Sequence, residues 1–406
     1  MRLAQMDLIS LFGNLIPDIQ YIIINYYHGS LYVLGESESK YDWFRLVKEN
    51  FGQTYSREIY CEYDLNKIYL ANCWEEKTRM VSKGNRMLMQ IDERTVMPFK
   101  IINRPDFIVE CLGPIVFPSD VVRIDCGLMY IMVELVGSIV IAFGDSFDRL
   151  RVEDFEEIGK MPMNIAEIAS TYLETLVLLT DGRLMCYTKR MGASDNSFQF
   201  IEGLPGKVVK VACGLKHSAI VLEDGRLMTS GWNCYGQLGR SYTDSYTLFF
   251  REVSNIPRNI VRVVCTHYNT FILLSDGVVM GCGNNDWGQL GLLDTTDRFE
   301  LQIIKDIPKN VANISGGDCF SVIQLTDGTL LSCGYNYNNQ LGFKPDIPLK
   351  KYTEKFTSIG YAQKNVGRVI CGDYFLLIQQ RDGNMIIHGL SDYRNKDNYQ
   401  MGLHLA

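Results

Sequence analysis

Five Asp-Gly pairs constrain this chain more than any other feature. Asp181-Gly182, Asp224-Gly225, Asp276-Gly277, Asp327-Gly328 and Asp382-Gly383 lie 43, 52, 51 and 55 residues apart in turn. Each follows an apolar run, as in AIVLEDG, FILLSDG and VIQLTDG, and precedes another, as in RLMTSG, VVMGCG and TLLSCG. Apolar strand, Asp-Gly, apolar strand is a strong short-range hairpin signal. The expected connection is a tight primed turn, whose positive φ is tolerated by Gly and Asp and resisted by β-branched residues. A single hairpin cannot bury both of its faces, so units of this kind must pack on one another.

The agreement reaches beyond the turn. Eleven positions before the Asp stands a small residue: Cys126, Ser170, Cys213, Cys265, Gly316 and Cys371, with Cys126 counted from Gly137 in the degenerate copy GSIVIAFG. The next residue is often Gly (Gly127, Gly214, Gly317, Gly372), and seven positions after the Asp come Gly144, Gly231, Gly283, Gly334 and Gly389. Three copies then run on into WNCYGQLG, NNDWGQLG and YNYNNQLG, and a worn copy, NYQMG, begins at Asn398. This order of small-Gly, strand, Asp-Gly, strand, Gly and Gly-Gln-Leu-Gly resembles the regulator of chromosome condensation repeat, over six copies in roughly residues 120–402. The resemblance implies a mostly β chain. Residues 53–406 are expected to form a seven-bladed β-propeller of four-stranded antiparallel blades. The seventh blade would come from residues ~50–120, where worn hairpins turn near Asn66-Lys67 and Gly84-Asn85. Gly84 precedes Gly137 by 53 residues and so takes the same turn place. The last blade is expected to borrow a strand from nearer the N-terminus.

Residues 1–52 read differently. Pro17 suits the first turn of a helix and Asp18 its positive end. Ile19, Ile22, Ile23 and Tyr26 follow at amphipathic spacing, and Tyr41, Trp43, Phe44, Leu46 and Val47 repeat it. LIPDIQYIII and YDWFRLVKENFG resemble the two parts of an F-box, a small α-helical segment that docks on the linker subunit of a cullin–RING ubiquitin ligase. Carried over, Leu15, Pro17, Ile22 and Ile23 would form the docking surface and Trp43 would pack the bundle. The middle, HGSLYVLGESES, departs from that pattern and also fits a propeller hairpin, with His28-Gly29 at the turn and Gly35 in phase. Extra propeller strands and an unspecialised packing helix therefore stay open.

The formal net charge of −7 argues against a mainly electrostatic grip on nucleic acid. Lys344, Lys350, Lys351 and Lys355 form a local cluster that reads as a solvated loop. No apolar run is long enough for a membrane span and no secretory signal is evident, so an intracellular protein, cytoplasmic or nuclear, is expected. The 12 cysteines include no C-x-x-C pair and read as small buried hydrophobes. The five histidines, His217 in GLKHSAIVL among them, have no converging partners for catalysis or metal binding.

No phosphate loop or nucleophile elbow occurs, and no cofactor is implied. The tail aromatics Trp232, Tyr235, Trp287, Tyr335 and Tyr337 fit either local loop packing or a binding rim on one face. The chain is thus expected to bind proteins rather than catalyse. The foremost reading is an adaptor that holds an unknown target on the propeller and recruits the ligase through residues 1–52. The alternatives are a guanine nucleotide exchange factor for a small GTPase, the activity of the resembled family's founding member, and a structural scaffold. In that member an inserted wedge performs exchange; the long connections Ser241–Pro257 and Phe343–Gly367 show no clear wedge.

Overall fold

The computed structural model describes residues 80–401, apart from 85, 103–107, 128–129, 144–154, 160–164, 173, 189–197, 242–244, 344–350, 360–365, 381–384 and 390–399. Leu15, Pro17, Ile22, Ile23, Trp43, the hairpin near Asn66-Lys67 and the pair Asp382-Gly383 lie outside the described residues.

Blade 3 shows how one repeat folds. Val208–Cys213, His217–Leu222, Leu227–Trp232 and Tyr246–Glu252 pair antiparallel in chain order. The second strand, HSAIVL, is buried at all six positions because neighbouring blades cover both its faces. Its apolar side chains meet those of blade 4 in one cluster, where Ala219 and Val221 pack with Ile272 and Leu274. The tail WNCYGQLG serves the same purpose. Asn233 Oδ1 accepts from Leu238 N at 3.0 Å, Gln237 Oε1 accepts from Tyr235 N at 3.0 Å, and Leu238 is fully buried. Thr270 of blade 4 donates its hydroxyl to Gln237 O at 2.7 Å, so the tail of one blade is clipped to the next.

Six sheets are built this way: blades 1 (121–159), 2 (165–200), 3 (208–252), 4 (260–303), 5 (311–358) and 6 (366–401). In all six the first strand carries a register shift after its first residue, as between Val208 and Lys210 or Ile260 and Arg262. A bulge at one fixed place bends each first strand alike. The first strands approach one another across the blade seams, which puts them innermost.

The expectation of seven four-stranded blades with a helical segment is corrected here. The repeat builds six blades, and every regular element among the described residues is a strand. Residues 80–116 instead form a five-stranded sheet. Met80–Lys83, Arg86–Gln90, Thr95–Ile102 and Ile108–Cys111 pair in order, and Ile115–Val116 pairs with the start of the third strand. This sheet stands between blades 6 and 1. Met80, Met87 and Met89 pack against Ile370, Phe375 and Leu377, while Leu88 and Val96 pack against Ile124 and Val133.

Two further expectations change. The reversal at Gly84 does not take the place of the Asp-Gly turns. Gly84 O accepts from Asp373 N, at the opposite end of the blades, and the matching turn runs through Asp92, whose Oδ1 accepts from Arg94 N and Thr95 N. Among the described residues the outer strand of the last blade is its own Gln400–Met401, where a borrowed one was expected.

Candidate functional site

The strands alternate direction, so each blade presents two kinds of reversal at opposite ends. One face carries the Asp-Gly turns. Asp181, Asp224, Asp276 and Asp327 each accept, through Oδ1, the backbone N–H two residues ahead, at 2.8–3.3 Å. Those N–H groups hold the Asp181 and Asp224 carboxyls below the usual range. Only the glycine of each pair has positive φ: Gly182, Gly225, Gly277 and Gly328 lie between 79° and 87°. The primed turn expected from sequence is therefore a three-residue loop with a left-handed glycine at its end. Asp is present as a hydrogen-bond acceptor, not for tolerance of positive φ. The Asp-Gly pairs on this face thus have a structural role in their turns.

The other face gathers the tail loops and the short loops between first and second strands, and with them the aromatic residues. Trp287 and Tyr335, from blades 4 and 5, meet edge to face with centroids 4.9 Å apart. Tyr337 stacks on Tyr335 at 5.0 Å, Tyr352 reaches Trp287 at 6.0 Å and Tyr374 of blade 6 reaches Tyr335 at 6.5 Å. Tyr235 instead pairs with Tyr268 of blade 4 at 5.2 Å. Trp232 stands apart, beneath Lys216, whose Nζ lies 4.3 Å from the ring centroid. The structure thus brings Trp287 and Tyr335 together, and leaves Tyr235 and Trp232 in two separate groups.

Carboxylates edge the large cluster. Tyr374 OH donates to Asp318 Oδ2 at 3.3 Å, and His267 Nε2 lies 2.6 Å from Asp373 Oδ1. Burial, then Asp318 and Asp373, hold the phenols of Tyr268 and Tyr374 above their ordinary values, so both stay neutral donors. Of the lysine cluster, Lys351 lies over the Tyr337 ring at 5.2 Å and Lys355 pairs with Asp306 at 3.2 Å. The two have different partners but line one shallow pocket with Tyr352 and Glu354, while Lys344 and Lys350 lie outside the described residues.

Burial accounts for the nucleophile candidates. It pushes the thiols of Cys126, Cys265 and Cys371 up to about 12 and raises that of Cys213 as well, so they remain protonated. It pushes His217 down to about 3, and its Nε2 bonds Thr270 Oγ1 at 3.0 Å across the blade seam. His217 is a neutral packing residue.

Sequence reasoning missed two constellations. Arg123, Glu167, Lys210, Arg262, Asn313 and Arg368 stand three positions before the small residue of each repeat, one per first strand. Arg262 donates to Asn313 at 2.6 Å, Arg123 to Glu134 at 2.8 Å, and burial raises the Glu167 carboxyl against the pull of Lys210. This is a polar girdle on the innermost strands, and the shared phase of polar residues was its available signal. The second is a cleft between blades 2 and 3, where Tyr172, Glu174, Lys216, Trp232, Tyr246 and Leu248 converge.

The repeat now has both a fold and a face, and residues 208–237, from the first strand of blade 3 through its tail, match the regulator of chromosome condensation (RCC1) repeat family. Blade 3 thus carries one stretch similar to that repeat. Over 255 residues it is 28% identical to the human probable E3 ubiquitin-protein ligase HERC6, covering 57% of this chain and 24% of that protein. It is 32% identical over 130 residues to the bovine secretion-regulating guanine nucleotide exchange factor, covering 32% of this chain and 28% of that protein. The matched stretch therefore spans about a quarter of these relatives' length. Among solved structures, Prp20p of Saccharomyces cerevisiae superposes with a TM-score of 0.59 at 17% identity, over 68% of this chain and 75% of that one. That likeness shows the propeller fold alone.

Proposed function

We propose that this chain is a protein-binding platform whose partner docks on the aromatic face of the propeller. One observation carries the reading. Trp287, Tyr335, Tyr337, Tyr352 and Tyr374 interlock across three blades while remaining partly exposed, with Tyr352 and Tyr374 38% and 37% accessible. Mutual contact holds the rings in place before binding, which lowers the entropic cost of using them as anchors. Asp318 and Asp373 beside them favour a partner surface that brings positive charge.

The test is crosslinked capture from cells, followed by affinity measurement on the purified pair. Trp287→Ala combined with Tyr335→Ala is expected to weaken the recovered partner by at least ~30-fold, as for two central anchors. An unchanged partner set and affinity would remove the reading.

Two finer readings have specific support. The named exchange factor among the relatives, and the study of Prp20p together with its binding to Gsp1p, support exchange on a small GTPase. Nucleotide release across a GTPase panel tests this, and a flat panel dismisses it. The ligase-adaptor reading draws on LIPDIQYIII and YDWFRLVKENFG alone. Pull-down with the linker subunit, for wild type and Pro17→Ala, Ile22→Asp, decides it.

A further inference from the structure

We propose that the cleft between blades 2 and 3 is a receptor for a cationic side chain, a lysine or arginine presented by a partner protein. This deepens the reading of the aromatic face as a docking surface and rests on it.

The cleft has a volume of about 190 Å³. A small-molecule site usually offers ~300–1,000 Å³, so the space suits one side chain better than a free metabolite. Its walls come from two blades. Tyr172 and Glu174 belong to blade 2, and Lys216, Trp232, Tyr246 and Leu248 to blade 3. Backbone bonds fix both walls: Tyr172 N donates to Leu215 O at 2.7 Å, and Trp232 N to Lys216 O at 2.9 Å.

Three aromatic rings and one carboxylate make a site for positive charge, because ring faces and a carboxylate both attract cations. The protein's own Lys216 demonstrates the preference. Its ammonium lies 4.3 Å from the Trp232 centroid and 5.9 Å from that of Tyr172, where a bound cation would sit. Lys216 does not satisfy Glu174. Among the described residues no Lys or Arg forms a salt bridge with Glu174, and burial alone pushes its carboxyl up. A desolvated carboxylate without a counter-charge gains from a cation delivered beside it.

The surroundings add a second recognition element. Leu248 and Phe249, 67% and 73% exposed, continue outward from Tyr246 along the outer strand of blade 3. A partner segment whose cationic residue is followed by an apolar one would cover both.

The test is saturation-transfer NMR on the full chain with capped pentapeptides Gly-Ser-X-Leu-Gly, where X is lysine, trimethyl-lysine, arginine or the uncharged isostere norleucine. The cationic peptides are expected to bind about tenfold tighter than the norleucine peptide. Glu174→Gln and Trp232→Ala are each expected to weaken them about five- to thirtyfold. Lys216→Ala, which removes the resident cation, is expected to strengthen them.

Equal binding of the norleucine peptide would overturn the proposal. So would affinities that ignore both Glu174→Gln and Trp232→Ala, or an absence of binding to wild type and Lys216→Ala alike. Trp287 and Tyr335 lie outside the cleft. Partner loss in their variants alongside a negative peptide result would sink the cleft and spare the face, and the converse result would do the opposite.

Discussion

Gly225 is where the repeat's turn and the packing between blades meet, and substituting it measures both. Its φ is +83°, and an added Cβ would stand 1.9 Å from Arg258 O, in the segment that leads into blade 4. That is roughly 1.4 Å short of the ~3.3 Å of the closest C···O contacts. The obstacle is backbone, so no rotamer change relieves it. Gly203 supplies the control, with φ +77° and no atom within 4 Å of a Cβ. Gly203→Ala carries only the left-handed conformational cost of ~1–2 kcal/mol, partly offset by ~0.4–1 kcal/mol from a stiffer unfolded chain. The net destabilisation expected is about 1 kcal/mol. Gly225→Ala adds a displacement of the neighbouring strand's approach, at ~1–3 kcal/mol for overpacking, giving roughly 2–4 kcal/mol in all.

Equilibrium urea unfolding of the full chain, with midpoints compared at unchanged slope, reads the difference. Hydrogen exchange should localise it: in Gly225→Ala the Glu223 amide, bonded to Lys207 O at 2.9 Å, loses protection, and in Gly203→Ala it does not. A Gly225→Ala midpoint within ~0.5 kcal/mol of Gly203→Ala, a margin typical of mild surface changes, would refute the claim that this glycine spaces two blades.

The tail asparagines make the same kind of prediction for the opposite face. Asn285 is fully buried, accepts from Leu290 N at 2.9 Å and donates to Asp294 O at 2.8 Å. Asn285→Ala should cost ~2–3 kcal/mol by stranding buried groups, and should speed exchange of the Leu290 amide; unchanged exchange would contradict it. His217 predicts a pH effect. Its folded pKa of about 3 lies below the ordinary 6.5, so the unfolded chain binds the proton more tightly between those values. Stability is intact above pH 6.5 and falls as pH drops toward 3, with about 2 kcal/mol of the loss between pH 7 and 5 coming from this group. His217→Asn, carrying the residue that blade 4 has at that place, should shrink the pH 7-to-5 change by that amount, and an equal change in both proteins would rule the assignment out.

The parts of the fold legible in the sequence are those that each repeat makes by itself. Asp224 accepts from Arg226 N, Gly225 adopts a left-handed φ, and Asn233 and Gln237 satisfy backbone groups within their own tail. Such local needs impose residue types at fixed spacing, and spacing is what periodicity reports. The placement of 80–116 failed because a blade reverses tightly at both ends. Gly84-Asn85 matched the repeat length, yet it turns at the end where Gly84 O meets Asp373 N. The Asp-anchored turn of that sheet, at Asp92, has no glycine to mark it. What two repeats make jointly leaves a fainter trace still. Tyr172 and Glu174 answer to no turn, cap or strand requirement that would tie them to Trp232 and Tyr246, and each side chain looks incidental within its own copy. A pairing made across a seam is set by two copies at once, so spacing within one copy does not report it. The cleft beside Lys216 is such a pairing, with Tyr172 and Glu174 from one copy and Trp232 and Tyr246 from the next.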